Sequence, residues 1–161
     1  MKKIIILFLV LTIVVTGCNS KNNNIKKENN DGETLTFAYK GVDVTPGLEF
    51  KSSSIDEEAN YIELTSCAFE GNDKVYTYEN IEITASQMNG KDTVYSVYFL
   101  NDKVATPEGV KIADDKSVMI EKYGEDYEQI SNQYKYVKSN VILSFIVEND
   151  VIISIEYQYN K

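Results

Sequence analysis

Arginine, histidine and tryptophan are absent from the 161 residues, and cysteine and proline occur only twice each. Each absence removes a class of function. Without His the chain lacks the commonest general base and the commonest metal ligand. Without Arg it lacks the bidentate reader of phosphates and bases, and a net charge of -9 repels a polyanion. Nucleic acid is therefore disfavoured as a partner, as is most histidine-based enzymology. The length suits one compact domain, or two small repeats sharing a core.

The N-terminus is informative. Lys2 and Lys3 form a positive n-region, and Ile4 to Val15 give an apolar run broken only by Thr12. A membrane-spanning helix needs about 20 apolar residues, so this shorter run reads as the core of a signal peptide. It ends in Val15-Thr16-Gly17-Cys18, small residues directly before a cysteine. This ending resembles the lipobox of bacterial lipoproteins. The resemblance implies a diacylglycerol and palmitate anchor on Cys18, with cleavage between Gly17 and Cys18. The competing readings are an ordinary secretory signal and an uncleaved N-terminal anchor.

Cleavage there discards two lysines. The mature chain keeps 14 basic against 25 acidic side chains, a net charge of -11. Asn19 to Glu33 (NSKNNNIKKENNDGE) holds six Asn, three Lys and one apolar residue. Such a stretch cannot bury enough surface to order itself and reads as a spacer. A calcium loop in it fails on spacing, because Lys27 stands where the first Asp belongs. The expected layout is a signal peptide over 1–17, the lipidated cysteine and tether over 18–33, and two repeats over 34–101 and 102–161.

The repeats are suggested by matches 58 residues apart. Tyr76 and Tyr78 meet Tyr134 and Tyr136, Ile83 meets Val141, and Ser86 meets Ser144. Val94-Tyr95-Ser96-Val97 meets Ile152-Ile153-Ser154-Ile155, and Phe99 meets Tyr157. Each repeat is expected to carry one helix. Ser54-x-x-Glu57 reads as a capping box, with Ile55, Ala59 and Ile62 at helical spacing behind it. Lys116 to Tyr123 reads as a second helix, capped by Asp114 or Asp115 and ended by Gly124. Alternation predicts strands around Tyr95–Phe99 and Ile153–Tyr157, while Asn89-Gly90 and Asn149-Asp150 predict hairpin turns. The expected fold class is α+β: two tandem helix-plus-antiparallel-sheet repeats.

That arrangement behind a lipobox looks like the tandem modules of the β-lactamase-inhibitor-protein and BamE type. The run from Thr106-Pro107-Glu108-Gly109 through Tyr134-Lys135-Tyr136 to Ile155-Glu156-Tyr157 is also similar to small surface lipoproteins of clostridia-like bacteria. The resemblance implies binding or scaffolding and transfers no site residue beyond Cys18.

Little in the sequence points to chemistry. Cys67 has no His to make it a thiolate, and beside Ala68 and Phe69 it reads as a small core residue in a strand. The acid runs Asp56-Glu57-Glu58, Asp114-Asp115 and Glu125-Asp126 sit at expected helix starts and turns. No cofactor, no metal site and no catalytic residue is expected. Tyr76, Tyr78, Tyr134 and Tyr136 are expected in the core, with Tyr123, Tyr127 and Tyr159 as the exposed aromatics. The functional expectation is a surface lipoprotein anchored in the bilayer through Cys18 and facing the extracytoplasmic space. It binds an envelope or secreted protein rather than catalysing. The alternatives are a small hydrolase using carboxylate pairs, or a purely structural envelope lipoprotein.

Overall fold

Two dipeptides that tolerate a left-handed backbone fix the centre of the fold. Asn89-Gly90 (φ 53° and 76°) and Asn149-Asp150 (φ 51° and 63°) each close a two-residue hairpin. A computed structural model describes residues 34–161 around these turns. The expected signal peptide, Cys18 and the tether lie outside the described residues.

The elements run β1 (Ala38–Tyr39), β2 (Val42–Asp43), β3 (Asn60–Thr65), β4 (Asn72–Thr77), β5 (Ile81–Met88) and β6 (Lys91–Phe99). After these come α1 (Lys116–Tyr123), β7 (Glu128–Ile130), β8 (Gln133–Lys138), β9 (Val141–Glu148) and β10 (Val151–Tyr159). β1 and β2 form a small hairpin. The other eight strands make one antiparallel sheet in the order β3-β4-β5-β6-β10-β9-β8-β7. Two four-stranded meanders thus meet at the β6–β10 seam. Its register, Glu156 opposite Tyr98 and Tyr157 opposite Val97, lies at the middle of the sheet.

The molecule is mostly β, and the expected α+β class of helix-plus-sheet repeats is corrected. Among the described residues α1 is the only α-helix. It has the expected bounds, although the Asp115 side chain makes no capping hydrogen bond. Gly124 ends it at φ 83°, donating its N–H to the Ile120 carbonyl. The other expected helix does not form. Ser52–Ser54 is a short 3-10 turn, and Asn60–Thr65 is an edge strand paired with β4. The Glu57 carboxylate, expected in a capping box, instead accepts bonds from Tyr39 and the Glu79 N–H. Tyr61, Ile62 and Thr65 favour an extended backbone, and the pairing with β4 overrides a helical spacing of only three apolar positions.

The meanders also explain which repeat matches share a place. Tyr136 lies opposite Leu143 as Tyr76 lies opposite Ile83, and the hairpin turns at Asn89 and Asn149 recur at the same spacing of 60 residues. Ile83 therefore corresponds to Leu143 and Ser86 to Ile146, not to Val141 and Ser144. The ladder skips Tyr95 in β6 and Ile153 in β10, so each strand carries a bulge, but nearer the turn in β10 than in β6.

One face of the sheet is covered. Ile81, Ile83, Val97, Phe99, Leu143, Phe145, Ile155 and Tyr157 point inward and are fully buried. Phe37, from the segment before β1, packs on Phe99 and Tyr157 with ring centroids 5.0 and 5.3 Å away. α1 sits on the second meander through Tyr123, whose ring lies 5.2 Å from Tyr136 and 5.5 Å from Phe145, and its Met119 is fully buried. Successive side chains of a strand alternate between faces, so the inward-pointing strand residues share one side of the sheet. Among the described residues the other face carries the β3–β4 connection, whose Phe69 packs on Tyr95, and is otherwise largely open.

Candidate functional site

Following the register across the uncovered face gives one continuous row. Asn60, Thr77, Glu82, Tyr98, Glu156, Ser144, Lys135 and Glu128 stand opposite one another from edge to edge. The neighbouring row holds Ile62, Val75, Thr84, Ser96, Gln158, Ile142 and Val137. Aliphatic side chains flank a polar middle. Ile62 is 55% exposed, Ile130 63% and Ile153 43%, far above the usual value for such residues. In the middle Ser96, Ser144 and Ser154 are nearly buried.

Glu156 occupies the centre of this face. Burial raises its carboxyl pKa, against a smaller lowering by the Ser96 hydroxyl. None of the ion pairs among the described residues involves it. The row holds three carboxylates, Glu82, Glu128 and Glu156, against one lysine, Lys135. Gln158 is held in place by a 2.9 Å bond from its Nε2 to the Tyr95 hydroxyl, and Phe69 packs edge-on against Tyr95.

A second concavity lies on the covered side, beyond the edge of the core. Residues 52–59 lean back over β3 and β4 and enclose a cleft of about 450 Å³. Its lining includes Ser52, Ser53, Ile55, Glu57, Tyr61, Tyr76 and Tyr78. Tyr61 packs on Tyr76 with centroids 5.1 Å apart, and Phe50 props Tyr76 from behind at 5.2 Å. The Glu57 carboxylate takes a 2.9 Å bond from the Tyr39 hydroxyl, a 2.8 Å bond from the Glu79 N–H and a 3.0 Å contact from the Lys40 ammonium. Burial alone would raise its carboxyl pKa. The Glu79 N–H, Lys40 and Tyr39 outweigh that, and the net shift is downward. The Tyr78 hydroxyl is buried without a hydrogen-bond partner among the described residues, and burial pushes its pKa up to about 12.

The sequence-marked residues scatter. Cys67 is exposed in the β3–β4 connection rather than buried in a strand, because Ser66 and Gly71 close a loop there. Asp114 caps the Lys111 N–H, Asp115 precedes α1, and Glu125-Asp126 lie in the link to β7. The three acid runs do not converge, and among the described residues no cluster of three His, Cys, Asp or Glu side chains could hold a metal. Tyr78, Tyr134 and Tyr136 are buried as expected, with Tyr76 partly so. Tyr123 and Tyr127, expected outside, pack against Tyr136 and Tyr134. The freely exposed tyrosine rings are Tyr61 and Tyr98. Sequence reasoning missed both sites; Glu156 in an alternating strand was the available signal for the open face.

Comparison with known proteins bears on the N-terminus. Residues 1–19 match the family model of the prokaryotic membrane lipoprotein lipid attachment site. The chain carries a lipoprotein attachment signal. The matched span includes Cys18, and it supports a bacterial lipoprotein anchored to a membrane of the cell envelope. No curated protein and no solved structure matches the chain. No helix among the described residues is long and apolar enough to cross a membrane.

Proposed function

We propose that the protein is a surface lipoprotein held by acylated Cys18 on the outer face of the cell membrane. It acts without catalysis as a binding module whose uncovered sheet face recognises a protein with a basic surface patch. The observation that carries this reading is the central row. Glu156 is a half-buried carboxylate that forms no ion pair among the described residues, with small hydroxyls near it and exposed aliphatics on the same face. An apolar rim supplies contact area, and an unpaired buried charge favours a partner that brings the missing cation. A second copy of the chain would oppose Glu82, Glu128 and Glu156 to themselves, which disfavours self-association.

The division into two repeats belongs with this reading. The common register of the two meanders at a spacing of 60 residues supports a duplicated four-strand unit, with the seam forming the middle of the recognition face. The tether over 18–33 is read as the spacer that sets the face away from the lipid.

Two measurements test the reading. Cys18→Ala should abolish labelled palmitate incorporation, and retention of the label would place the anchor elsewhere. The purified mature chain should leave a broad panel of glycans and esters intact. Hydrolysis that disappears in Asp114→Asn/Asp115→Asn would replace the binding reading with the carboxylate hydrolase.

A further inference from the structure

We infer that the cleft between residues 52–59 and the β3–β4 edge is a binding site for a neutral sugar ring, separate from the uncovered sheet face. Tyr61 is 48% exposed and rests on Tyr76, so about half of its surface remains open in an aromatic wall of the cleft. Such a face pays for exposure unless something amphipathic lies on it. The same lining includes Ser52, Ser53 and Glu57, together with the buried Tyr78. A buried hydroxyl without a partner costs free energy and calls for one. Tyr78 is 97% buried by its 3% exposure, and its hydroxyl is the unsatisfied group in the lining.

Charge then selects among ligands. Lys40 sits 3.0 Å from Glu57 and cancels it, so the cleft offers no net charge to a cation. Glu79 beside it is likewise paired with Lys103 at 3.2 Å, and no lysine is among the described residues lining the cleft to bind an anion. A neutral ligand with one apolar face and a rim of hydroxyls remains, and a pyranose ring has that form. The cleft volume of about 450 Å³ falls in the range of small-ligand sites. Binding here implies no cleavage. Glycoside hydrolysis needs a second carboxyl group across the bond and a protonated acid, whereas Glu57 is held ionised.

Saturation-transfer NMR on the acylated protein in phosphocholine micelles tests the assignment, with β-1,4-linked N-acetylglucosamine tetramer and cellotetraose as probes. At least one sugar should show saturable transfer, strongest on ring C–H protons. Tyr61→Ala should weaken it about tenfold through loss of the stacking face. Tyr78→Phe, which removes only the hydroxyl, should weaken it about threefold or more. Tyr98→Ala on the other face should leave it unchanged, which separates this site from the protein-recognition face. Transfer from neither sugar, or transfer indifferent to both Tyr61→Ala and Tyr78→Phe, would overturn the assignment. So would saturable binding of tetramethylammonium at the cleft in place of sugar.

Discussion

At the scale of single residues, two glutamates show how the same side chain takes opposite roles. Glu57 gains three partners on folding, so its folded pKa lies below its unfolded value near 4.5. Its contribution is present above that value and lost as pH falls through the depressed folded pKa. Glu156 is desolvated without a cation, and its folded pKa is raised. Between the unfolded and folded values the native state holds more protons, so stability falls as pH rises through that window. Urea unfolding of variants separates the two. Glu57→Gln should lose about 1–2 kcal/mol at pH 7 and much less in acid. Glu156→Gln should be neutral or stabilising at pH 7, with the gain vanishing below the ordinary carboxylate range. Loss of stability from Glu156→Gln at pH 7 would mean that the carboxylate has an internal partner. Cys67 gives a simpler contrast. Its exposure predicts labelling by a maleimide in the native state, and Cys67→Ser should change stability by less than about 0.5 kcal/mol.

At the scale of elements, turns were more legible than the segments between them. Asn89-Gly90 and Asn149-Asp150 name a left-handed two-residue turn by their chemistry, and both are found there. The bounds of α1 followed from Asp115 and Gly124. Ser54-x-x-Glu57 misled because a local spacing cannot see β4, which recruits Asn60–Thr65 as its neighbour. The repeat matches slipped for a related reason. The two meanders superpose at a spacing of 60 residues, and chance identities such as Ser86 with Ser144 favoured a spacing two residues shorter, which local matching cannot tell from the paired register. Glycines sort by backbone need. Gly124 has φ 83° and ψ -169°, a region nearly closed to other residues, although a Cβ there would meet nothing within 4 Å. Gly124→Ala should cost about 1–3 kcal/mol from backbone strain alone. Gly90→Ala, in the left-handed helical region at φ 76°, should cost only about 1 kcal/mol. Thermal unfolding of the pair checks this order, and equal losses would remove the backbone explanation.

At the scale of the whole molecule, the decisive fact is that α1 and the segment around the β1–β2 hairpin cover the same side of an eight-stranded sheet. Alternation in each strand announces two faces but not which will be left bare, since that depends on where α1 and the β1–β2 hairpin pack. The candidate surface was therefore hidden from the sequence, although its residues were in plain view. The cleft was hidden for a similar reason, because it needs residues 52–59 to fold back on β3 and β4. The acidity reads differently in this setting. Much of it stabilises turns and ion pairs, as Glu57 does, while Glu82, Glu128 and Glu156 mark the face proposed to meet a basic partner.

Site-specific photo-cross-linking on intact cells tests that proposal most directly. A photoreactive side chain placed at Ile62 in β3 or at Ile130 in β7, on opposite flanks of Glu156, should yield an adduct with the same protein from both positions. The adduct should form through a lysine- or arginine-rich segment and disappear when Glu156→Lys is added, while acylation persists. Adducts that differ between the two positions, or that survive Glu156→Lys, would contradict recognition through this face.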